Sequence, residues 1–439
     1  MKKLYLLIKI FLFVLVFFVI SLPISFILKD DAKSYARILF HEFYNQDNIE
    51  YLLCGASHVS HGVDGQRASE IFGKNVFSTG TSQQQIDGTY AVLRQAVKLY
   101  KIEKVFLELD FAITCAPAFS QRKGFSAEYI VSDNLRDFRI KSQYLLECSS
   151  PKYYLNAFLP IGKDKMLTLN PKKLAYKMKS IFSGDYFKYT YTDEKLEYAG
   201  KGCVMDSDFI PDGSFSDNKF ESAINVSGIT DDWKNTVDKI ISLCSEHGIE
   251  LIFYSMPGSD FYLNQKGNYD EYYSFCRDFT AQHGFAYYDF NLAKPEVLSL
   301  KDSDFCDDNH LSKNGVYKWT DTFCDFFSGK YKEEDALEKY FYASYDEKMK
   351  SIGERIFGLY MITSDDKKTL EITPVTNLSD TKRITYDVYA ITGSEEMLLA
   401  KDSINNTVAL PAGKSGKIRV VSYIDGVQEN DCRENFASF

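Results

Sequence analysis

Basic charge is what this sequence is short of. Among 439 residues, 51 Lys and Arg face 61 Asp and Glu, for a net charge of −10. Residues 1–29 hold four lysines and no acid, so the rest of the chain carries 47 basic against 61 acidic residues, a net −14. An acidic body lacks the surface that phosphate backbones require, which excludes nucleic acid as an expected partner and argues against broad adhesion to anionic lipid. Tryptophan is nearly missing, at 2 residues, so a large core has to be built from the 31 Tyr and 34 Phe. No CxxC or zinc-like spacing occurs among the nine cysteines, Cys54, Cys115, Cys148, Cys203, Cys244, Cys276, Cys306, Cys324 and Cys432. An odd, dispersed set is not a disulfide framework, and several of these thiols fall on apolar faces, where Cys packs as a small hydrophobe. Disorder is excluded too, because 45% of the chain is hydrophobic. The length suggests about two folded units with appendages.

Charge is also missing from Ile10–Leu28, IFLFVLVFFVISLPISFIL, a run of 19 residues. That is enough to cross a hydrocarbon core of about 30 Å. Lys2, Lys3 and Lys9 precede it, and Lys29, Asp30 and Asp31 follow. The positive-inside rule keeps such a start cytoplasmic and exports the remainder. The expectation is a single-pass anchor over 1–29 with the bulk of the chain extracytoplasmic. A cleaved signal peptide is the rival, although its run would be shorter and no A-x-A site is present.

From Glu50 the pattern alternates between strand and helix. Tyr51–Gly55, Lys104–Asp110, Leu251–Pro257 and Phe285–Phe290 read as strands. Gln84–Tyr100, Asp231–Gly248 with Thr230 as its cap, Tyr269–His283 and Ser312–Phe327 read as helices. Buried strands with crossover helices imply a parallel sheet covered on both faces, an α/β domain over 30–330. The rhythm lapses over about 111–228, read as an insertion that caps the sheet or merely elaborates it. It contains a helix at Pro171–Phe182, capped by Asn170, and a polar loop at Tyr191–Ser216. A charged helical connector over 331–355, crossed by few contacts, leads to short alternating segments over 356–439, read as an all-β sandwich.

Two blocks carry chemistry. In CGASHVSHG, Ser57 follows the first strand and Gly55, at the carboxyl end where open α/β sheets bind ligands. A serine there becomes a nucleophile if a histidine reaches it. In DSDFCDDNHLSKNGVYKW (Asp302–Trp319), Asp307 stands three residues before His310, with Asp304 and Asp308 beside them. A carboxylate so placed can bond one imidazole nitrogen and leave the other for a serine. The same residues, with Ser312, could simply cap the last helix, or the acids could ligate a metal.

Taken together, the blocks resemble the SGNH/GDSL hydrolase superfamily over about residues 50–327. Ser57 matches its nucleophile, and Asp307 and His310 match its Asp-x-x-His pair. NVFSTGTSQQQIDGTY (Asn75–Tyr90) resembles its second block, with Gly80 where a backbone N–H helps hold the oxyanion. The resemblance implies a flavodoxin-like three-layer fold and no metal or organic cofactor. It is nearest the membrane-anchored, exported branch, whose members work with membrane-bound O-acyltransferases on exopolysaccharide or teichoic-acid acylation. The implied function is acyl transfer or ester hydrolysis on a cell-surface polysaccharide or teichoic-acid-like polymer, and the implied partner is a membrane-bound O-acyltransferase. Two departures matter. GASH replaces GDSL, which puts His58 directly after the serine. KVFLELDFAIT (Lys104–Thr114) replaces the third block, so the asparagine donor is missing or is supplied elsewhere; His58 is one candidate replacement, and a polar residue packed beneath the turn is the other reading of it. Losing such a donor costs about 10²–10³ in rate, which keeps a non-catalytic assembly or glycan-binding protein in play.

Overall fold

The computed structural model describes residues 2–116, 126–190, 195–331, 336–411 and 416–436. Its first element, α1 (Lys2–Leu28), is 27 residues long and apolar enough to cross a membrane, with 6% of its most apolar window buried. The carboxyl end of α1 docks on the segment that follows the third strand. Ser25 Oγ donates to the Pro160 carbonyl at 2.8 Å, the Asp30 N–H to Met166 at 2.8 Å, and the Thr168 N–H to Leu28 at 2.8 Å. The buried Lys177 ammonium reaches the Phe26 and Lys29 carbonyls and Asp31 Oδ1 at 2.5, 2.8 and 2.6 Å.

A five-stranded parallel sheet follows, made of β1 (Tyr51–Cys54), β2 (Val76–Ser78), β3 (Lys104–Glu108), β4 (Glu250–Ser255) and β5 (Tyr287–Asp289). Its spatial order is β2–β1–β3–β4–β5, and Tyr51 lies between Val76 and Lys104 in register. Leu52, Leu53, Val76, Phe77, Val105, Phe106 and Leu107 are fully buried on both faces, as the apolar runs require of a parallel sheet. Each such side chain contributes about 1.5–3 kcal/mol of burial. The helices begin where their N-caps place them. Thr230 accepts from the Trp233 N–H ahead of Asp231–Glu246, and Asn268 accepts from Glu271 ahead of Tyr269–Gln282. Asn170 caps Pro171–Ser183 through the Lys172 and Lys173 N–H groups. All nine cysteines are free thiols and eight are buried.

The chain divides into two compact units, 1–204 with 227–252 and 205–226 with 253–439. The polar loop expected from Tyr191 begins in 191–194, outside the described residues. Its remainder holds a hairpin, Leu196–Gly200 with Cys203–Asp206, and a two-residue strand, Ser216–Asp217. In the second unit this short strand pairs parallel with Ile356–Thr363, Ser216 opposite Leu359. Next in that four-stranded sheet come Thr369–Thr376 and Thr407–Ala409. A second sheet orders Glu395–Ser403, Ile384–Thr392, Gly416–Ile424 and Val427–Phe436, and both sheets feed one core that includes Leu359, Ile372, Val388 and Val420.

The connector expected from Glu333 begins in 332–335, also outside the described residues. Its remainder is not the sparse link expected from its charge. Phe341 packs on Phe290 with centroids 5.4 Å apart, and Tyr345 packs on Tyr269 at 5.4 Å. Asp270 accepts from the Tyr345 and Asp346 N–H groups, and Lys348 pairs with Asp260 at 2.7 Å. The aromatic residues scattered among the charges make this segment part of the core. Truncation at Lys330 would strip Phe341, Tyr345 and the strand beside Phe215 from their partners, at about 1.5–3 kcal/mol for each large side chain exposed. The truncated chain is expected to lose its cooperative melt by circular dichroism. A truncated chain that melts within a few degrees of the full chain would contradict this packing.

Candidate active site

In the first unit, β1 ends at Cys54 and the chain turns through Gly55 and Ala56 into a single helical turn, Ser57–Ser60. β1 lies between β2 and β3, and the strand order reverses at its boundary with β3, the switch point where α/β sheets open a crevice. Two glycines allow the turn to form. A Cβ on Gly55 would stand 2.5 Å from Val59 Cγ2 and 2.6 Å from Glu108 Oε2. A Cβ on Gly80 would stand 2.1 Å from the Ala56 carbonyl, so only glycine lets the loop after β2 approach the Ser57 turn this closely. Ser57 is half-buried among buried neighbours, and its carbonyl accepts from the His61 N–H at 2.8 Å and Ser60 Oγ at 3.0 Å. Behind Gly80, Thr81 Oγ1 donates to Gln84 Oε1 at 2.8 Å and Gln84 Nε2 to Thr89 at 3.0 Å, a buried network that fixes the loop.

His58 is buried under the turn. Its Nδ1 lies 2.7 Å from Asp110 Oδ2 and 3.2 Å from Glu108 Oε1. Asp110 also caps the following turn by accepting from Ile113 N–H at 2.6 Å. Burial by itself would lower the imidazole pKa, but the two carboxylates outweigh it and raise it well above 6.5. Burial pushes Glu108 up; His58 and the Ala56 N–H pull it back in part, and Asp110 adds to the rise. The two carboxylates thus favour the protonated form of His58, which disfavours it as the base for Ser57. Among the described residues, His58, Glu108 and Asp110 offer ligand atoms within 4.8 Å of one another, close enough for a metal ion. The 2.7 Å separation is that of a charge-assisted hydrogen bond, and a proton on Nδ1 satisfies the arrangement.

Glu108 and Asp110 had no role assigned from the sequence. The available signal was two acids, ELD, closing an apolar strand where solvation is poorest.

In the second unit, Phe305 and Leu311 bridge antiparallel and close the loop 306–310, with the Cys306 N–H donating to the His310 carbonyl at 2.9 Å. Asp307 accepts from the Asn309 and His310 N–H groups at 3.0 and 2.7 Å. Its carboxylate also lies 2.9 and 3.1 Å from His310 Nδ1. Burial raises the Asp307 pKa, but these bonds prevail and hold it at about 2. The structure thus brings Asp307 and His310 together as the spacing implied. A carboxylate on Nδ1 orients an imidazole so that any proton transfer uses Nε2. The two flanking acids do other work. Asp304 is buried against Lys318 at 2.7 Å, and Asp308, raised to about 6 by burial and then by Asp307, accepts from Gln265 at 2.8 Å. Ser312 caps Lys313–Asp325 through the Gly315 N–H.

Removing the cation from beneath the Ser57 turn leaves two carboxyl groups facing each other. His58→Gln is expected to cost about 3–5 kcal/mol, the usual penalty for breaking a buried pair, read from urea unfolding. Because the folded pKa of His58 is raised, its contribution is full below pH 6.5 and is lost as pH rises through the folded value. The gap between wild type and His58→Gln should therefore narrow on the alkaline side; a gap that widens there contradicts a protonated His58. No protein-family model matches the chain, and no curated protein matches it.

Proposed function

We propose that this protein is a membrane-anchored, outward-facing serine acyl-transfer or ester-hydrolysis protein of the SGNH type, acting on O-acyl groups of a cell-surface glycan. The observation that carries this reading is the Asp307–His310 pair, its carboxylate 2.9 Å from the imidazole Nδ1. His310 Nε2 takes the Ser57 proton as Oγ attacks the ester carbonyl, and Asp307 stabilises the imidazolium that forms. The Ser57 and Gly80 N–H groups receive the developing oxyanion. The protonated imidazole then returns its proton to the departing alkoxide, leaving an acyl-serine. A sugar hydroxyl or water, deprotonated by the same nitrogen, releases the acyl group and regenerates Ser57. His58 is assigned to positioning the Ser57 turn, on the strength of its bonds to Asp110 and Glu108.

A cavity of about 590 Å³ supports a polyhydroxylated acceptor. It lies beside the loops after β2 and β3 and is lined by Gln85, Asp87, Thr114, Glu147, Trp233 and Asn235, among others. Carboxylates, amides and one indole are the side chains that hydrogen-bond and stack on sugars. The membrane-bound O-acyltransferase partner belongs to the same reading. A non-catalytic, glycan-binding assembly role is the second reading, favoured by one observation: Glu108 and Asp110, bonded to His58, occupy the region of the third block, where relatives supply an asparagine donor.

A fluorophosphonate probe is expected to label the wild-type serine, to miss Ser57→Ala, and to label His310→Ala at least about 10²-fold more slowly. Undiminished labelling of Ser57→Ala moves the nucleophile elsewhere, and absence of labelling in wild type transfers support to the binding role. For the anchor, full-length protein is expected in the membrane fraction of cells and open to protease added outside. Full-length chain recovered in the soluble cytoplasm contradicts it.

A further inference from the structure

The overall charge of the chain hides one basic stretch of sequence. Between residues 138 and 188 ten Lys and Arg face three Asp and Glu, in a protein whose net charge is −10. The same stretch exposes large apolar side chains, with Phe138, Leu155, Leu169 and Phe182 each at least 75% exposed. Basic and apolar groups side by side are the composition of a surface that meets a membrane interface.

The position of α1 sets the depth. Ser25 and Phe26 contact this segment directly, and they belong to the uncharged run that ends at Leu28. At 1.5 Å per residue, Leu22 lies about 9 Å before Leu28, so a bilayer surface at Leu28 would put whatever packs on Leu22 below the lipid headgroups. Here the first unit holds a cavity of about 370 Å³. Its apolar wall includes Phe18 and Leu22 of α1 with Phe158 and Leu159, and its polar wall includes Lys29, Lys141, Lys165 and Asp133.

The charges in this cavity do not balance. Lys29 pairs with Asp133 at 2.7 Å. The buried Lys165 ammonium donates to the Ala157 carbonyl at 2.7 Å and sits 3.7 Å above the Tyr129 ring, with no carboxylate bonded to it among the described residues. Lys141 lies nearby, influenced by Asp133 and Lys29. The Ser142 hydroxyl on the same wall is buried with no hydrogen-bond partner among the described residues. Burial lowers both lysines, Lys165 to about 8, and an anion between them would reverse that cost.

We propose that this cavity binds the phosphodiester headgroup of an anionic glycerophospholipid, with Lys141, Lys165 and Ser142 on the phosphate and the acyl chains along Phe18 and Leu22. A lipid rather than a soluble phosphate is favoured because the apolar wall is continuous with the lipid-facing side of α1. The site rests on α1 spanning the bilayer and is independent of whether Ser57 is a nucleophile.

The test uses the full-length protein in phosphatidylcholine nanodiscs doped with photoreactive phosphatidylglycerol or equally photoreactive phosphatidylcholine. Intact mass first verifies that α1 is retained. Phosphatidylglycerol should mark peptides from 138–165 about fivefold or more over phosphatidylcholine, the factor worth one lysine at an anionic surface. Lys141→Gln with Lys165→Gln should bring the two probes to parity. Equal labelling in wild type, a readout that needs no variant to fold, overturns the proposal, as does a preference that survives the double substitution. Millimolar glycerol phosphate should leave the preference intact; its abolition would assign the pocket to a soluble phosphate and overturn the lipid.

Discussion

Two carboxylates at the dry end of β3 need a cation, and one imidazole supplies it. Glu108 and Asp110 follow an apolar run with no exposed surface on which to solvate their charge, and His58 is drawn under the Ser57 turn to meet them. That bond ties β1 to β3 at the strand ends, where the sheet ladder has stopped. It fixes how the turn leaves the sheet, and through the turn it fixes the height at which Ser57 stands. Gly55 and Gly80 are required by the same constraint, since neither the carboxylate behind the turn nor the loop beside it leaves room for a Cβ.

The Asp307–His310 pair is built differently. It sits in a loop closed by the bridge from Phe305 to Leu311, and the aspartate satisfies two backbone N–H groups before it reaches the imidazole. Those bonds hold its pKa at about 2. Such a carboxylate stays ionised throughout any physiological range and keeps the ring in one tautomer. Chemistry here is set by local turn geometry, whereas at His58 it is set by desolvation.

This difference explains what could be read from the sequence. Strands with continuous apolar runs, such as Val105–Leu107, and helices with caps, such as Thr230 and Asn170, were legible because period and capping are local properties. The Asp307–His310 contact was legible for the same reason, since three residues of loop bring the two together. Glu108 and Asp110 were not, because an acid at a strand end looks like a solvated turn until the sheet is assembled over it. Phe341 and Tyr345 were hidden among charged neighbours, and their burial depends on Phe290 and Tyr269, some fifty to eighty residues away. Ser216–Asp217 is too short to show alternation, and becomes a strand only through pairing with Ile356–Thr363.

The division of the chain inside β4 has a consequence for synthesis. β1, β2 and β3 emerge early, but the strand that covers the open side of β3 arrives more than 140 residues after it, and its own second half packs with elements made last. Until then the growing chain carries a parallel sheet with a bare edge, the kind of surface that recruits other strands. Closure of such non-local pairs is slow because loop entropy must be overcome before contacts reward it. The segment between β3 and β4, docked on the end of α1, leaves the ribosome ahead of β4 and shortens that search by anchoring one end of the loop.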